Sequence, residues 1–221
     1  LEGLPLPVQR YFRHVLKEGQ EYTVSARVRH SGWFKTGLDK DWIAITGEQY
    51  YTVDRPGFMW KGETSMFTAR DMFINDKGAL KVQLFSVLTI VDAQGPAYDQ
   101  GELLRWLGEC IWFPTALLPS EYISWTAVDS STAMLHMNYN GVSIFYKVTF
   151  NEKNEIIRFE TKRYMDGNRL EAWVGTPADY REIKGMVIPL KIEGAWNLDT
   201  GYFAYARFIL DDIDYNRPER F

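Results

Sequence analysis

Turn signals punctuate this chain from end to end, and the segments between them mostly alternate with a period of two. Asp54-Arg-Pro-Gly57, Asn75-Asp-Lys-Gly78, Tyr139-Asn-Gly141, Asn151-Glu-Lys-Asn154, Asp166-Gly-Asn168 and Asp199-Thr-Gly201 combine residues that accept left-handed or proline-fixed backbone. The first alternating segment sets Tyr22, Val24, Ala26 and Val28 against Thr23, Ser25, Arg27 and Arg29, the pattern of a strand with one buried face. Further strands are predicted at 41–51, 57–62, 66–74, 80–92, 123–128, 133–139, 142–150, 155–164, 169–174, 186–196 and 202–213. Short connections between successive strands imply an antiparallel meander. About a dozen strands exceed what a flat open sheet usually holds, so the sheet is expected to curl strongly into a half-barrel or barrel, or to split into a sandwich.

Two segments break the period. Val8, Tyr11, Phe12, Val15 and Leu16 stand at helical spacing behind Pro5 and Pro7, which predicts a short amphipathic N-terminal helix. Residues 101–119 form a second, far more apolar helical segment, with Pro114 bending or ending it and Pro119 marking its exit. In a curled sheet this helix has one sheltered place to go, the concave face. No linker, charge block or low-complexity segment divides the chain, so residues 1–221 are expected to form a single mainly-β domain.

Composition narrows the function. The formal net charge of -4 with scattered Lys and Arg argues against a nucleic-acid partner, whose phosphates require clustered cations. A lone cysteine, Cys110, excludes an internal disulfide and leaves no zinc-type spacing. His14, His30 and His136 fall in no metal-binding pattern, so neither metal nor cofactor is expected. No run is long and apolar enough for a transmembrane helix. The chain starts at Leu1 and reads as trimmed, which leaves room upstream for an export signal or anchor and leaves cytoplasmic and extracytoplasmic placement both open. Oligomeric state is likewise open. Aromatics make up 15% of the chain, with 8 Trp, more than a minimal core requires, and this favours a sizeable cavity or groove.

The candidate chemistry lies in the apolar helix. Arg105 and Glu109, four residues apart, share a helical face beside Trp106, Trp112 and Phe113. If that face meets a cavity, Arg105 clamps the carboxylate or phosphate head of an apolar or amphipathic, lipid-like molecule. Glu109 then orients Arg105, and the three aromatics contact the apolar body. An enzyme using Glu109 as general acid or base in the same cavity is the alternative. An interaction module that docks a partner through exposed aromatics or a sheet edge is the third reading. Asp211, Asp212 and Asp214 lack the spacing of a calcium loop and read as a solvated strand edge.

The segments Leu4-Pro-x-Pro-Val-x-Arg-Tyr-Phe12, Ser31-Gly32, Pro56-Gly-Phe-x-Trp60, Gly101-Glu-Leu-x-Arg-x-Leu-x-Glu109 and Trp112-Phe-Pro-Thr-Ala-Leu-Leu118 resemble those of a bacterial family, a domain of unknown function, along most of the chain. The resemblance implies no activity. The inferred architecture is also similar to that of the outer-membrane lipoprotein carriers and related lipid-binding half-barrels, a similarity of fold that carries no function by itself.

Overall fold

A computed structural model describes residues 1–165, 167–217 and 219–221. The chain opens with α1 (Leu6–Val15) and lays down β1 (Ser25–Phe34), β2 (Ile43–Thr52), β3 (Gly57–Glu63), β4 (Phe67–Ile74), β5 (Lys77–Leu84) and β6 (Leu88–Gln94). It then crosses through α2 (Pro96–Glu109) and two short 3-10 turns, Cys110–Trp112 and Pro114–Leu117. The return comprises β7 (Ile123–Ala127), β8 (Thr132–Tyr139), β9 (Val142–Phe150), β10 (Ile156–Tyr164), β11 (Leu170–Ile183), β12 (Met186–Leu198) and β13 (Gly201–Tyr215).

All thirteen strands belong to one antiparallel sheet of order β6-β5-β4-β3-β2-β1-β13-β12-β11-β10-β9-β8-β7. The first six walk outward from the centre, and the last seven return from the far edge until β13 pairs with β1. The sheet stays open, with β6 and β7 at its edges, but its arms curve toward each other. The Tyr139 hydroxyl of β8 donates to Asp76 Oδ1 in the turn between β4 and β5, 2.9 Å away. Helix α2 fills the hollow, packing on β5 and β4 of one arm and on β10 and β9 of the other. Tyr146 of β9 anchors it by donating to the Leu104 carbonyl at 2.9 Å. No helix among the described residues is long and apolar enough to cross a membrane.

Four differences from the expected elements have local causes. The run 80–92 is two strands, because the chain reverses at Phe85 and Ser86, both left-handed (φ 48° and 58°). Neither is a residue that favours that conformation, at a cost on the order of 1 kcal/mol each. Neighbours hold the turn: the Phe85 amide donates to the Met66 carbonyl at 2.8 Å, and Ser86 Oγ lies 3.0 Å from Thr68 Oγ1.

The segment 101–119 is not one helix. The α-helix starts earlier, at Pro96, and stops at Glu109. Phe113 leaves the helical region (φ -139°, ψ 71°) as the residue before Pro114 must, and the chain continues in tight turns. β11, expected to end at 174, runs to Ile183 through Pro177, which lies beyond the last residue that pairs with β10, so its missing amide breaks no ladder.

β1, expected from Tyr22, begins only at Ser25, and Tyr22 and Val24 are exposed. Their segment is pinned by side chains instead: the Thr23 amide donates to Thr115 and the Val24 amide to Asn216. The turn expected at 166–168 begins on Asp166, outside the described residues.

Candidate functional site

Glu102, Arg105 and Glu109 succeed one another at three- and four-residue spacing, so they form one stripe on α2. The stripe turns toward the inner face of the sheet, and each charge finds a partner on a different strand. Arg105 donates from Nε to Glu109 Oε1 at 2.9 Å, from Nη1 to Asp71 Oδ2 on β4 at 2.5 Å, and from Nη2 to Gln49 Oε1 on β2 at 3.2 Å. Its guanidinium carbon lies 4.7 Å from the centre of the Trp60 ring and 5.1 Å from that of Phe58, both on β3. Glu109 Oε2 accepts from Gln49 Nε2 at 2.7 Å and from the Tyr51 hydroxyl at 3.0 Å. Burial works against the charge on Arg105, but Glu109, Asp71 and Glu102 outweigh it and hold its pKa above the ordinary value.

Glu102 sits deeper and is only 4% exposed. Its Oε1 lies 3.5 Å from Arg163 Nη2 on β10, which packs beside Gly101, where a Cβ would come within 3.4 Å of Arg163 Nε. Its other oxygen, Oε2, is buried without a hydrogen-bond partner among the described residues, as is Asp71 Oδ1. Burial first, and the charge of Asp71 second, push Glu102 up to about 8.

Below the helix the sheet supplies aromatic rings. His30 on β1 accepts from Trp60 Nε1 through Nε2 at 2.7 Å, which assigns the proton of its neutral ring to Nδ1, and Phe208 of β13 lies against it with centroids 4.2 Å apart. The backbone makes room for these rings: a Cβ on Gly47 would sit 2.0 Å from His30 Nε2, and one on Gly62 would sit 2.2 Å from Trp60 Cη2. Burial, and then the charge of Arg105, lower His30 to about 3, so the ring stays neutral.

Further along the floor, the β12–β13 register shifts between Gly194 and Ala195, and Tyr205 is the extra residue. The bulge turns its ring toward Trp173, whose Nε1 donates to the Tyr205 hydroxyl at 3.0 Å, and toward Trp196 and Phe34. Phe34, Trp173, Tyr205 and Phe208 are half-buried, so this floor keeps accessible apolar surface. The result is a seam in which the charged stripe of the helix is answered by Asp71 and Arg163 of the sheet, with aromatic rings on the sheet beside them.

Arg105 and Glu109 thus meet in the ion pair their spacing allowed. Trp106, Trp112 and Phe113 are essentially inaccessible: the two indoles donate to the carbonyls of Thr52 and Pro189, and Phe113 packs against Tyr51 with ring centroids 4.8 Å apart. Their rings present no surface in this conformation. Glu109 stands close to a titratable group, Tyr51, but the three donors that converge on it already occupy both of its oxygens. His30 lies within β1, buried. The acidic group at 211–214 is not a sheet edge: Asp214, on the central strand β13, bonds Arg27 Nη2 at 2.7 Å and also Lys184.

Asp71, Gln49, Tyr51 and Arg163 carried no signal in the sequence beyond a polar residue in a strand. Two shallow clefts are open: one of about 480 Å³ lies away from the seam along Ser31, Trp33, Ala44 and Thr46, and one of about 420 Å³ at the β2–β3 turn near Arg55 reaches Tyr51 and Phe58.

The His30–Trp60 bond is testable alone. His30→Leu leaves a buried indole N–H without an acceptor, so chemical denaturation at pH about 7 is expected to show a loss of about 1–3 kcal/mol. A loss under about 0.5 kcal/mol would mean the indole finds another acceptor.

An open, strongly curved antiparallel sheet that embraces a helix is a LolA-like fold. The chain belongs to a family of unknown function (DUF6544), whose model matches residues 1–208. A LolA superfamily protein from Nitrosomonas europaea superposes with a TM-score of 0.52 at 10% identity, over 96% of this chain and 93% of that one. A domain named for outer-membrane lipoprotein sorting, from Vibrio parahaemolyticus, gives a TM-score of 0.44 at 8% identity, over 97% of this chain and 92% of that one. No curated protein matches the chain.

Proposed function

We propose that residues 1–221 act as one domain that binds an amphipathic small molecule in the seam between α2 and the concave face. The observation that carries this reading is the pairing of a buried charged stripe, Glu102–Arg105–Glu109, with half-buried aromatic rings on the sheet. Buried charges cost stability unless they are well paired, and a purely structural helix would be cheaper to seat with apolar side chains. Arg105 and Glu109 form the polar wall, and the apolar body lies on Phe34, Trp173 and Tyr205. Trp106, Trp112 and Phe113 fix the helix in place. The LolA-like fold supplies the scaffold and does not by itself name a ligand.

Titration with decanol, followed by tryptophan emission and calorimetry, is expected to saturate at a single ligand per chain. Phe34→Ala should weaken binding about tenfold, the equivalent of one half-lost aromatic contact. A titration that never saturates overturns the reading.

A second reading, an interaction surface, rests on a separate observation. Met66, Phe85, Val87, Leu88 and Ile90 are exposed together where the β3–β4 and β5–β6 turns adjoin, with Val87 84% accessible, and β6 is a sheet edge. A flat titration would transfer the weight to that patch.

A further inference from the structure

Resting on the seam reading above, we infer that its polar wall takes a cationic, hydrogen-bond-donating head, the ammonium of an amphiphilic amine, in preference to an anionic one. The inventory of donors and acceptors points this way. Every nitrogen of Arg105 already donates to a protein oxygen, and its plane is flanked by Trp60 and Phe58. Arg163 leans on Glu102. Around the stripe, two carboxylate oxygens are left over: Glu102 Oε2 and Asp71 Oδ1 are buried and unpartnered among the described residues, and the unpartnered donor nearby, His30 Nδ1, lies on the sheet side beside Trp60 and Phe208.

Formal charge agrees. Asp71, Glu102 and Glu109 face Arg105 and Arg163, three carboxylates against two guanidinium groups, so the fully ionised cluster carries one negative charge with no counterpart. A buried surplus of that kind is met by a proton or by a cation. The floor suits the second: Trp173 and Tyr205 are half-buried rings of the type whose faces hold ammonium groups, and Tyr205 lies close enough to Arg163 to act on its charge.

Proton and ammonium then compete for the same carboxyl. Glu102 keeps its proton up to about pH 8, with Asp71 of β4, Arg163 of β10 and Arg105 and Glu109 of α2 as the charged groups around it. Ammonium binding releases that proton to solvent, so affinity for the amine rises as pH rises through this range.

The test compares decylammonium, decanol and decanoate by calorimetry at pH about 7 and about 9. At the higher pH decylammonium is expected to bind about tenfold or more tightly than decanol, and decanoate most weakly. The preference should shrink at the lower pH. Glu102→Gln, which keeps the shape and removes the charge, should bring the ammonium-to-alcohol ratio near one and abolish its pH dependence; the wild-type pH profile tests the idea without any substitution. Equal affinity for all three, or tightest binding of decanoate on Arg163, overturns this inference and leaves the seam reading standing. Absence of binding by every probe overturns both.

Discussion

Arg105→Met is expected to destabilise the protein by about 3–5 kcal/mol, because it strands carboxylates that the guanidinium now holds in a nearly closed site. Among the described residues, Arg105 is the one cation that joins α2, β2 and β4, through Glu109, Gln49 and Asp71. Side-chain accessibilities of 11% for Arg105 and 17% for Asp71 leave little water to take over. Methionine replaces most of the volume, so packing loss is minor and the electrostatic loss dominates. Adding Asp71→Asn and Glu109→Gln to Arg105→Met should recover a large part of the loss, since neutral partners need no counter-charge. Urea denaturation read by tryptophan fluorescence measures both variants. A single-variant loss under about 1 kcal/mol would mean that the carboxylates become hydrated or protonated at little cost.

What the sequence disclosed follows from how local each signal is. The Arg105–Glu109 pair was legible because helical spacing alone brings the two together, and β8 and β9 were legible because Asn140-Gly141 names its own turn. The Phe85–Ser86 reversal was not, since neither residue favours the left-handed backbone it takes, and Met66 and Thr68, from the neighbouring hairpin, help to hold it. Asp71 and Gln49 become partners of Arg105 through strand order and register, which no window of sequence contains. Trp106, Trp112 and Phe113 show a different limit. Hydrophobicity predicts that such rings leave water, but whether they face a ligand or another side chain depends on which side of the helix meets the sheet. Tyr205 depended on a bulge with no marker beyond Gly194 on the facing strand.

Glu102→Gln is expected to be about as stable as the wild-type protein near pH 4.5 and more stable than it above pH 8, by on the order of 5 kcal/mol. The sign follows from which state holds the proton. Folded Glu102 titrates at about 8 against an ordinary 4.5, so the unfolded chain releases its proton first. Stability from the neutral carboxyl is therefore complete below about pH 4.5 and drains away until about pH 8, where the folded state ionises too.

His30 acts from the acid side. Its pKa is lowered to about 3 from 6.5, so its contribution is complete above about pH 6.5 and is lost as pH falls toward 3. Between about pH 4.5 and 6.5 the two slopes cancel, which predicts a plateau in wild-type stability with a decline on either side. Glutamine at 102 removes only the alkaline decline, so the variant should keep gaining stability to about pH 6.5 and then stay level. Thermal melts of both proteins across this range give the difference curve. A difference that does not change between pH 5 and 9 would mean that Glu102 titrates as an ordinary carboxylate and that its buried oxygen is reached by water.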